Sequence, residues 1–355
     1  EEKTSTNQEL TQEVVQLSAD ELLDGTKYDK NELIVLFDDS VSDKTINSVA
    51  KSEDASVNEI FDVDGETKAA SVEISEDQTI KEAIEEIADD SRVKLVQPNY
   101  KYSIKEDSSK EEIAKGKSSK EEASDKIQAT KADPSKEEVL DGYQFNLTST
   151  YQAWGLLYGC DKKGNPVDGA TPYKANEKRV KVSVIDTGID LKHKDLQTNV
   201  VNGATTYPQY VDGNRSTINY DTDYHGTHVA GIIGADYGNG IGTAGIASGF
   251  DNDLVDVDVF SASSNGGYFM TADIISALKE AGSENPDIIN LSLGANAKDQ
   301  VMHLVTKELY EKGIIIVAAS GNESTDVFNS PSDYKEAIAV NACEEYGNLC
   351  YYSNF

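Results

Sequence analysis

The sequence predicts an α/β protein in which a parallel sheet with helices on both faces follows a small split-βαβ (ferredoxin-like) module. Three observations carry that prediction. Residues 179–319 hold four runs rich in Val, Ile and Leu, separated by helical segments. Runs that are apolar on both faces belong to parallel strands covered on both sides. Residues 31–104 read in the order β-α-β-β-α-β. The chain has 355 residues, 38% of them hydrophobic, enough for about two domains and a sizeable core.

Residues 1–30 form an acidic N-terminal segment with one helical stretch around Glu9–Leu23. In the 31–104 module, Glu32–Phe37 is an apolar run of strand length, and Ser42 caps a helix over Ser42–Lys51. Ala55–Asp62 and Ala69–Ile74 are strands around the Asp64-Gly65 turn. Thr79–Asp89 sets Ile80, Ala83, Ile84 and Ile87 on one helical face, and Val93–Tyr102 closes the module as a strand. Residues 105–140 are a charged linker with two Ser-Ser-Lys-Glu-Glu copies, at Ser108–Glu112 and Ser118–Glu122, and no apolar face to bury. Such a segment is a site for proteolytic nicking. In 141–355, strands at Arg179–Ile185, Leu254–Phe260, Asp287–Leu293 and Gly313–Ala319 alternate with helices at Gly226–Ala235, Thr271–Gly282 and Lys298–Lys312. The carboxyl ends of such strands are where open α/β sheets place their chemistry.

Lys and Arg number 32 against 64 Asp and Glu, a net charge of −32. That field repels phosphate backbones and anionic lipid surfaces, which argues against nucleic-acid and membrane partners. No apolar run approaches the roughly 18 residues of a spanning helix. The chain opens on Glu1 without Met, and a leader removed ahead of this numbering is the expectation. Three cysteines make no disulfide scaffold. Cys343 and Cys350 flank a hairpin turn near Gly347 and Asn348, where facing strand positions would bridge; Cys160 reads as a small apolar residue.

Three motifs stand at strand ends or helix starts. Asp186-Thr187-Gly188 follows the first buried strand. His225-Gly226-Thr227-His228-Val229-Ala230-Gly231 opens a helix whose small residues Gly226, Ala230, Gly231 and Gly234 allow close packing on the sheet. Ser320-Gly321-Asn322 follows the last strand, where a side-chain amide is placed to donate to a developing oxyanion. Each alone also reads as a turn, a cap or, for the His225/His228 spacing, a weak metal pair that lacks further ligands.

In order along the chain, these motifs closely resemble the subtilisin-like serine proteases. The resemblance covers residues 145–355 and extends to His193-Lys194-Asp195-Leu196, with Lys194 where the family usually has Pro, and to Asn290-Leu291-Ser292-Leu293-Gly294. It implies a secreted or cell-surface endopeptidase with Asp186 orienting His225, His225 as general base and then acid, and Asn322 as oxyanion donor. It implies substrate binding by Ser292, Leu293, Gly294, Ala319, Ser320 and Gly321, the first three as an added strand. His228 is expected as a packed structural residue. The resemblance also implies a structural Ca²⁺ held by Asp195, Asn239, Ile241 and Thr243, all through hard oxygen ligands. Residues 31–104, with Val96-Gln97-Pro98-Asn99-Tyr100 near their end, resemble the inhibitory propeptides of these proteases. That implies a zymogen whose product-like tail lies in the cleft, with processing between Tyr102 and Asp141.

The Gly-Thr-Ser motif that carries the family's nucleophile is absent from residues 1–355. Ser353 lacks the helix that follows such a nucleophile. The expected partners are a peptide substrate, the chain's own propeptide and a C-terminal fragment carrying the serine. The alternatives are a dedicated processing protease, such as a leader peptidase of modified peptides, and a noncatalytic binding protein that keeps the cleft. Glu323 hints at tolerance for basic substrate residues or is an exposed turn residue.

Overall fold

The computed structural model describes residues 14–39, 41–104, 143–161, 163, 165–170, 179–202, 209–211, 214–216, 221, 223–265 and 268–355. The 105–140 linker lies outside them. The chain divides into two compact units, Glu1–Asn99 and Tyr100–Phe355.

In the first unit, helix α1 spans Ala19–Leu23. Of the helix expected over Glu9–Leu23, residues 9–13 lie outside the described residues; among those described it begins at Ala19, because the Ser18 side chain accepts from the Glu21 N–H while Glu21 reaches back to Ser18, a closed capping box. Strand β1 (Tyr28–Phe37), helix α2 (Asp43–Ser52), strands β2 (Ser56–Asp62) and β3 (Lys68–Glu73), helix α3 (Ile80–Ala88) and strand β4 (Val93–Ser103) follow. Ser42 and Thr79 cap the two longer helices. The sheet order is β4-β1-β3-β2, with β3 antiparallel to both β1 and β2. Leu33, Val35, Phe37, Ile46, Val72 and Ile84 are fully buried between this sheet and its helices, joined by Ala19 and Leu22 of α1. The helical face read from the sequence, Ile80, Ala83, Ile84 and Ile87, is the face α3 buries.

The second unit receives the chain at Tyr100. Helices α4 (Tyr143–Leu147) and α5 (Thr150–Tyr158) bring Trp154 into an aromatic cluster with Phe145, Tyr237 and Phe250, and its indole N–H donates to the Ile246 carbonyl. The central elements are strand β5 (Val180–Asp186), short strands β6 (Val200–Asn202), β7 (Gln209–Val211) and β8 (Asn214–Ser216), helix α6 (His225–Gly234) and strand β9 (Val255–Ser261). Strands β10 (Ser263–Asn265) and β11 (Tyr268–Met270), helix α7 (Thr271–Ser283) and strand β12 (Ile288–Leu291) follow. Helix α8 (Gln300–Glu311) and strands β13 (Ile315–Ala319) and β14 (Ala337–Val340) complete the unit. The main sheet runs β14-β13-β12-β5-β9-β6, and neighbouring strands in it pair in parallel.

Its register sets the site. Leu291 lies opposite both Ile185 and Ala318, and Ala319 opposite Val340, so Asp186, Ser292 and Ala319 leave three adjacent strands at one level.

The expected Cys343–Cys350 bridge does not form. The hairpin is there, with Gly347 at positive φ, but its register sets Cys343 against Leu349, and Cys350 donates its N–H to Ala342. A one-residue offset puts the two side chains out of line, and all three cysteines are free thiols.

Candidate active site

Asp186 is the last residue of β5 and fully buried. His225 is the first residue of α6, and its Nδ1 lies 2.8 Å and 2.9 Å from the two Asp186 carboxylate oxygens. The backbone N–H of Thr187 donates to Asp186 Oδ1 at 2.7 Å. Burial pushes the Asp186 carboxyl up from the usual carboxylate range, and the His225 and Thr187 donors pull it part of the way back. For His225, burial works downward, but the hydrogen bond and charge of Asp186, with the charges of Asp223 and Asp221, outweigh it and lift the imidazole above its ordinary value. A ring held by Nδ1 on a buried carboxylate leaves Nε2 as the nitrogen available for proton transfer.

Two features hold His225 in place. Tyr224, at the start of the helix, has φ 67 and its own side chain does not cap. Asp221 takes over that role. Its Oδ1 accepts from Thr187 Oγ1 at 2.7 Å, Asp223 N at 3.0 Å and Tyr224 N at 2.7 Å; its Oδ2 accepts from Thr227 N at 2.8 Å and Thr227 Oγ1 at 2.6 Å. One nearly buried carboxylate thereby ties the helix start to the loop after β5. The second feature is Gly226, where a Cβ would stand 2.2 Å from the Gly188 carbonyl oxygen. The close approach read from the small residues is real at Gly226, Ala230 and Gly234, whereas a Cβ at Gly231 would meet only Leu196 at 4.0 Å. His228 is exposed rather than packed, because it faces away from that buried stripe.

Ser292, Leu293 and Gly294 leave β12, and Ala319, Ser320 and Gly321 leave β13 beside them. Gly294 is paired antiparallel with Ser103: Ser103 N donates to the Gly294 carbonyl at 3.1 Å, and Gly294 N to the Ser103 carbonyl at 3.3 Å. On its other side Ser103 lies opposite Tyr268, with Tyr102 opposite Phe269 and Lys101 opposite Met270. Residues 101–103 are thus flanked by β11 and by Gly294. Asn322 follows Gly321, which has φ 105; its carboxamide makes no hydrogen bond among the described residues and stays a free donor. Glu323 is a turn residue: its Oε2 accepts from Asn322 N and Asn354 Nδ2, each at 2.9 Å.

Asn329 was not legible as a site residue. Its amide lies within 3.0 Å of a Cβ built on either Gly294 or Gly321. Nδ2 donates to the Ser320 carbonyl at 2.6 Å, and among the described residues Oδ1 is buried without a hydrogen-bond partner. Ser353 is buried, its hydroxyl accepting from Ala342 N and donating to the Asn354 carbonyl, which ties it to the C-terminal hairpin.

Asp195 sits against the loop after α6. Its Oδ1 accepts from Asn239 Nδ2 at 2.7 Å and Oδ2 from Thr243 N at 2.9 Å, while Asn239 Oδ1 accepts from Ile241 N at 3.0 Å. Gly242, at φ 61, passes so close that a Cβ would fall 2.1 Å from Asp195 Oδ2. Burial raises the Asp195 carboxyl. Carboxylate and carboxamide oxygens are the kind of ligand a hard cation takes, and here each of the three named accepts an N–H that a cation would have to displace.

Comparisons with known proteins agree with this layout. A model described as the Subtilase family matches residues 177–355, and one described as the fervidolysin N-terminal prodomain matches residues 16–99. The chain is 30% identical over 216 residues to the thermophilic serine proteinase of Bacillus sp. (strain AK1), covering 60% of this chain and 47% of that protein. It is 37% identical over 198 residues to subtilisin of Bacillus pumilus, covering 54% and 65%. It spans about half the length of the curated relatives it matches first, 47% and 55%. Among solved structures, fervidolysin from Fervidobacterium pennivorans, a keratinolytic enzyme related to subtilisin, matches with a TM-score of 0.61 at 20% identity, covering 94% of this chain and 46% of that one. The epidermin leader peptide processing serine protease of Staphylococcus aureus matches with a TM-score of 0.56 at 16% identity, covering 91% and 72%.

Proposed function

The chain belongs to the subtilase family, and from that membership we propose that it is part of a serine endopeptidase made as a prodomain-inhibited zymogen. The observation that carries the reading is the Asp186–His225 pair at 2.8 Å, with the free Asn322 carboxamide just past the end of β13, two strands away in the same sheet. In this reading His225 removes the proton from a serine hydroxyl as the hydroxyl attacks the peptide carbonyl. Asp186 holds the ring and stabilises the imidazolium that forms. Asn322 donates to the tetrahedral oxyanion; losing such a donor costs about 3 kcal/mol, a magnitude established on subtilisin itself. His225 then passes its proton to the leaving amine, and water repeats the sequence on the acyl-enzyme. The reading requires a serine nucleophile outside residues 1–355.

Substrate is held as an added strand on Ser292–Gly294, with Ala319–Gly321 walling the pocket beside it. The Ser103–Gly294 pairing supports this, because there that edge takes an extended peptide. The same pairing supports inhibition by the chain's own N-terminal part, since a strand already seated there excludes substrate. Asp195, Asn239, Ile241 and Thr243 would hold a structural Ca²⁺ that ties the loop after α6 to the segment after β5. Secretion belongs to the same reading, supported by a prodomain that keeps a protease shut until it reaches its place of action.

The test is labelling of the full polypeptide with an active-site fluorophosphonate, followed by mass analysis. A labelled serine that travels with this chain, lost in His225→Ala, is the expected result. An unlabelled full-length protein that still binds peptides would refute the enzyme reading in favour of a noncatalytic binding protein. A labelled enzyme that cuts one leader and no other peptide would make it a dedicated processing protease.

A further inference from the structure

The strand flanked by β11 and Gly294 carries a side chain whose surroundings are more specific than an apolar slot. Tyr102 is fully buried. Its hydroxyl donates to Asp299 Oδ2 at 2.9 Å. Asp299 is itself 1% exposed, so a carboxylate stands at the bottom of the pocket that receives the ring. The same Oδ2 accepts from Thr271 Oγ1 at 2.6 Å, and Thr271 Oγ1 in turn accepts from the backbone N–H of Tyr100 at 3.2 Å. Asp299 therefore reads the inserted strand twice, directly through the phenol of Tyr102 and through Thr271 at the main chain of Tyr100.

The carboxylate is held rigidly. Asp299 caps α8, with Oδ1 accepting from Met302 N at 2.9 Å, and its main-chain carbonyl accepts from Tyr334 Oη at 2.8 Å. Burial and the charge of Asp299 push the Tyr102 hydroxyl's ionisation well above its ordinary value, so the phenol remains a donor at any working pH. The neighbouring residues of the strand are held differently: Lys101 lies over the Tyr268 ring at 3.7 Å, and Ser103 makes the backbone pair with Gly294.

We propose that Asp299, held by Thr271, forms a substrate subsite that selects tyrosine at the position just before the residue paired with Gly294, by accepting a hydrogen bond from its phenol. This rests on reading the cleft as a protease's, and it adds a specificity that an apolar slot does not have. Phenylalanine fits the same space but removes a hydrogen bond to a buried carboxylate. Sites built around such a bond reject the analogue lacking it far more strongly than apolar pockets reject a missing methylene.

The test uses the full polypeptide and fluorogenic peptides carrying the sequence of residues 99–108, with Tyr, Phe or Ala at the place of Tyr102. The expected result is a kcat/KM for Tyr about 10- to 100-fold above that for Phe. In Asp299→Asn, where one side-chain oxygen keeps the α8 cap and an amide replaces the acceptor, that ratio falls toward one. Equal rates for Tyr and Phe in the unaltered protein overturn the proposal and leave the contact as packing of the chain's own tail. If no peptide is cut and no fluorophosphonate label is taken up, the protease reading has failed, and binding then decides the subsite. The same peptides, fluorescently labelled, are titrated onto the Tyr102→Ala chain, whose pocket is vacated. Tighter binding of the Tyr peptide than the Phe peptide sustains the proposal, and no difference, including no binding of either, overturns it.

Discussion

Replacing Asp221 by Asn tests whether one carboxylate positions His225. The native carboxylate accepts five hydrogen bonds, three at Oδ1 and two at Oδ2, and is 8% exposed. Asparagine keeps one oxygen. If that oxygen stays with Thr187, Asp223 and Tyr224, the amide faces the Thr227 N–H, donor against donor. The Thr227 hydroxyl can turn to accept, but the N–H cannot. One orphaned buried donor and the loss of charge assistance on the remaining bonds cost about 2–4 kcal/mol. A unit spanning Tyr100–Phe355 loses about 2–4 °C of Tm per kcal/mol, which gives a drop of about 5–15 °C. The first turn of α6 carries His225, and a shift of about 1 Å there costs on the order of 100-fold in kcat/KM. Calorimetry and peptide hydrolysis on D221N are the assays, with the exposed Asp326→Asn as the neutral comparison. A Tm within about 2 °C of the parent and an unchanged rate would refute the positioning argument, since five bonds to one carboxylate leave no room for so small an effect.

Gly226→Ala forces a Cβ to 2.2 Å from the Gly188 carbonyl, so backbone must move; a loss of about 1–3 kcal/mol and of most peptidase activity follows, read by denaturant unfolding and rate. Because the imidazole of His225 is raised and must be neutral to act as base, the acid limb of kcat/KM lies above 6.5, the ordinary imidazole value, and Asp186→Asn moves it to lower pH while slowing the reaction. In stability the sign is opposite: the His225⁺–Asp186 attraction is fully present below the unfolded imidazole pKa and is lost as pH rises through the folded one, which pH-dependent unfolding measures. If the proposed Ca²⁺ site at Asp195 binds, calcium at about 100 times its Kd stabilises by about 2.7 kcal/mol, so chelation lowers Tm by roughly 5–10 °C and Asp195→Asn removes that response; a Tm that chelation leaves unchanged refutes the site.

Local patterning determined much of this protein. The 3.6-residue spacing of Ile80, Ala83, Ile84 and Ile87 fixes which face of α3 is buried, because a helix has one stripe to hide. Continuous apolar runs mark the parallel strands, and Asp186 and His225 announce themselves because motif residues sit at a strand end and a helix start. Where a short-range signal acts, it sets the boundary: within residues 14–23 the Ser18–Glu21 capping box starts α1 at Ala19. Register is the next limit. The turn at Gly347 was legible, but a single offset in pairing separates Cys343 from Cys350. What only tertiary structure decided are contacts between residues far apart in sequence. Asp221 reaches Thr187 across 34 positions, and Tyr102 reaches Asp299 across 197. Asn329 comes between Gly294 and Gly321 only once β12 and β13 lie side by side. None of these side chains has a pattern of its own, because a buried carboxylate or amide is specified by the donors folding brings to it, and those donors lie on other elements.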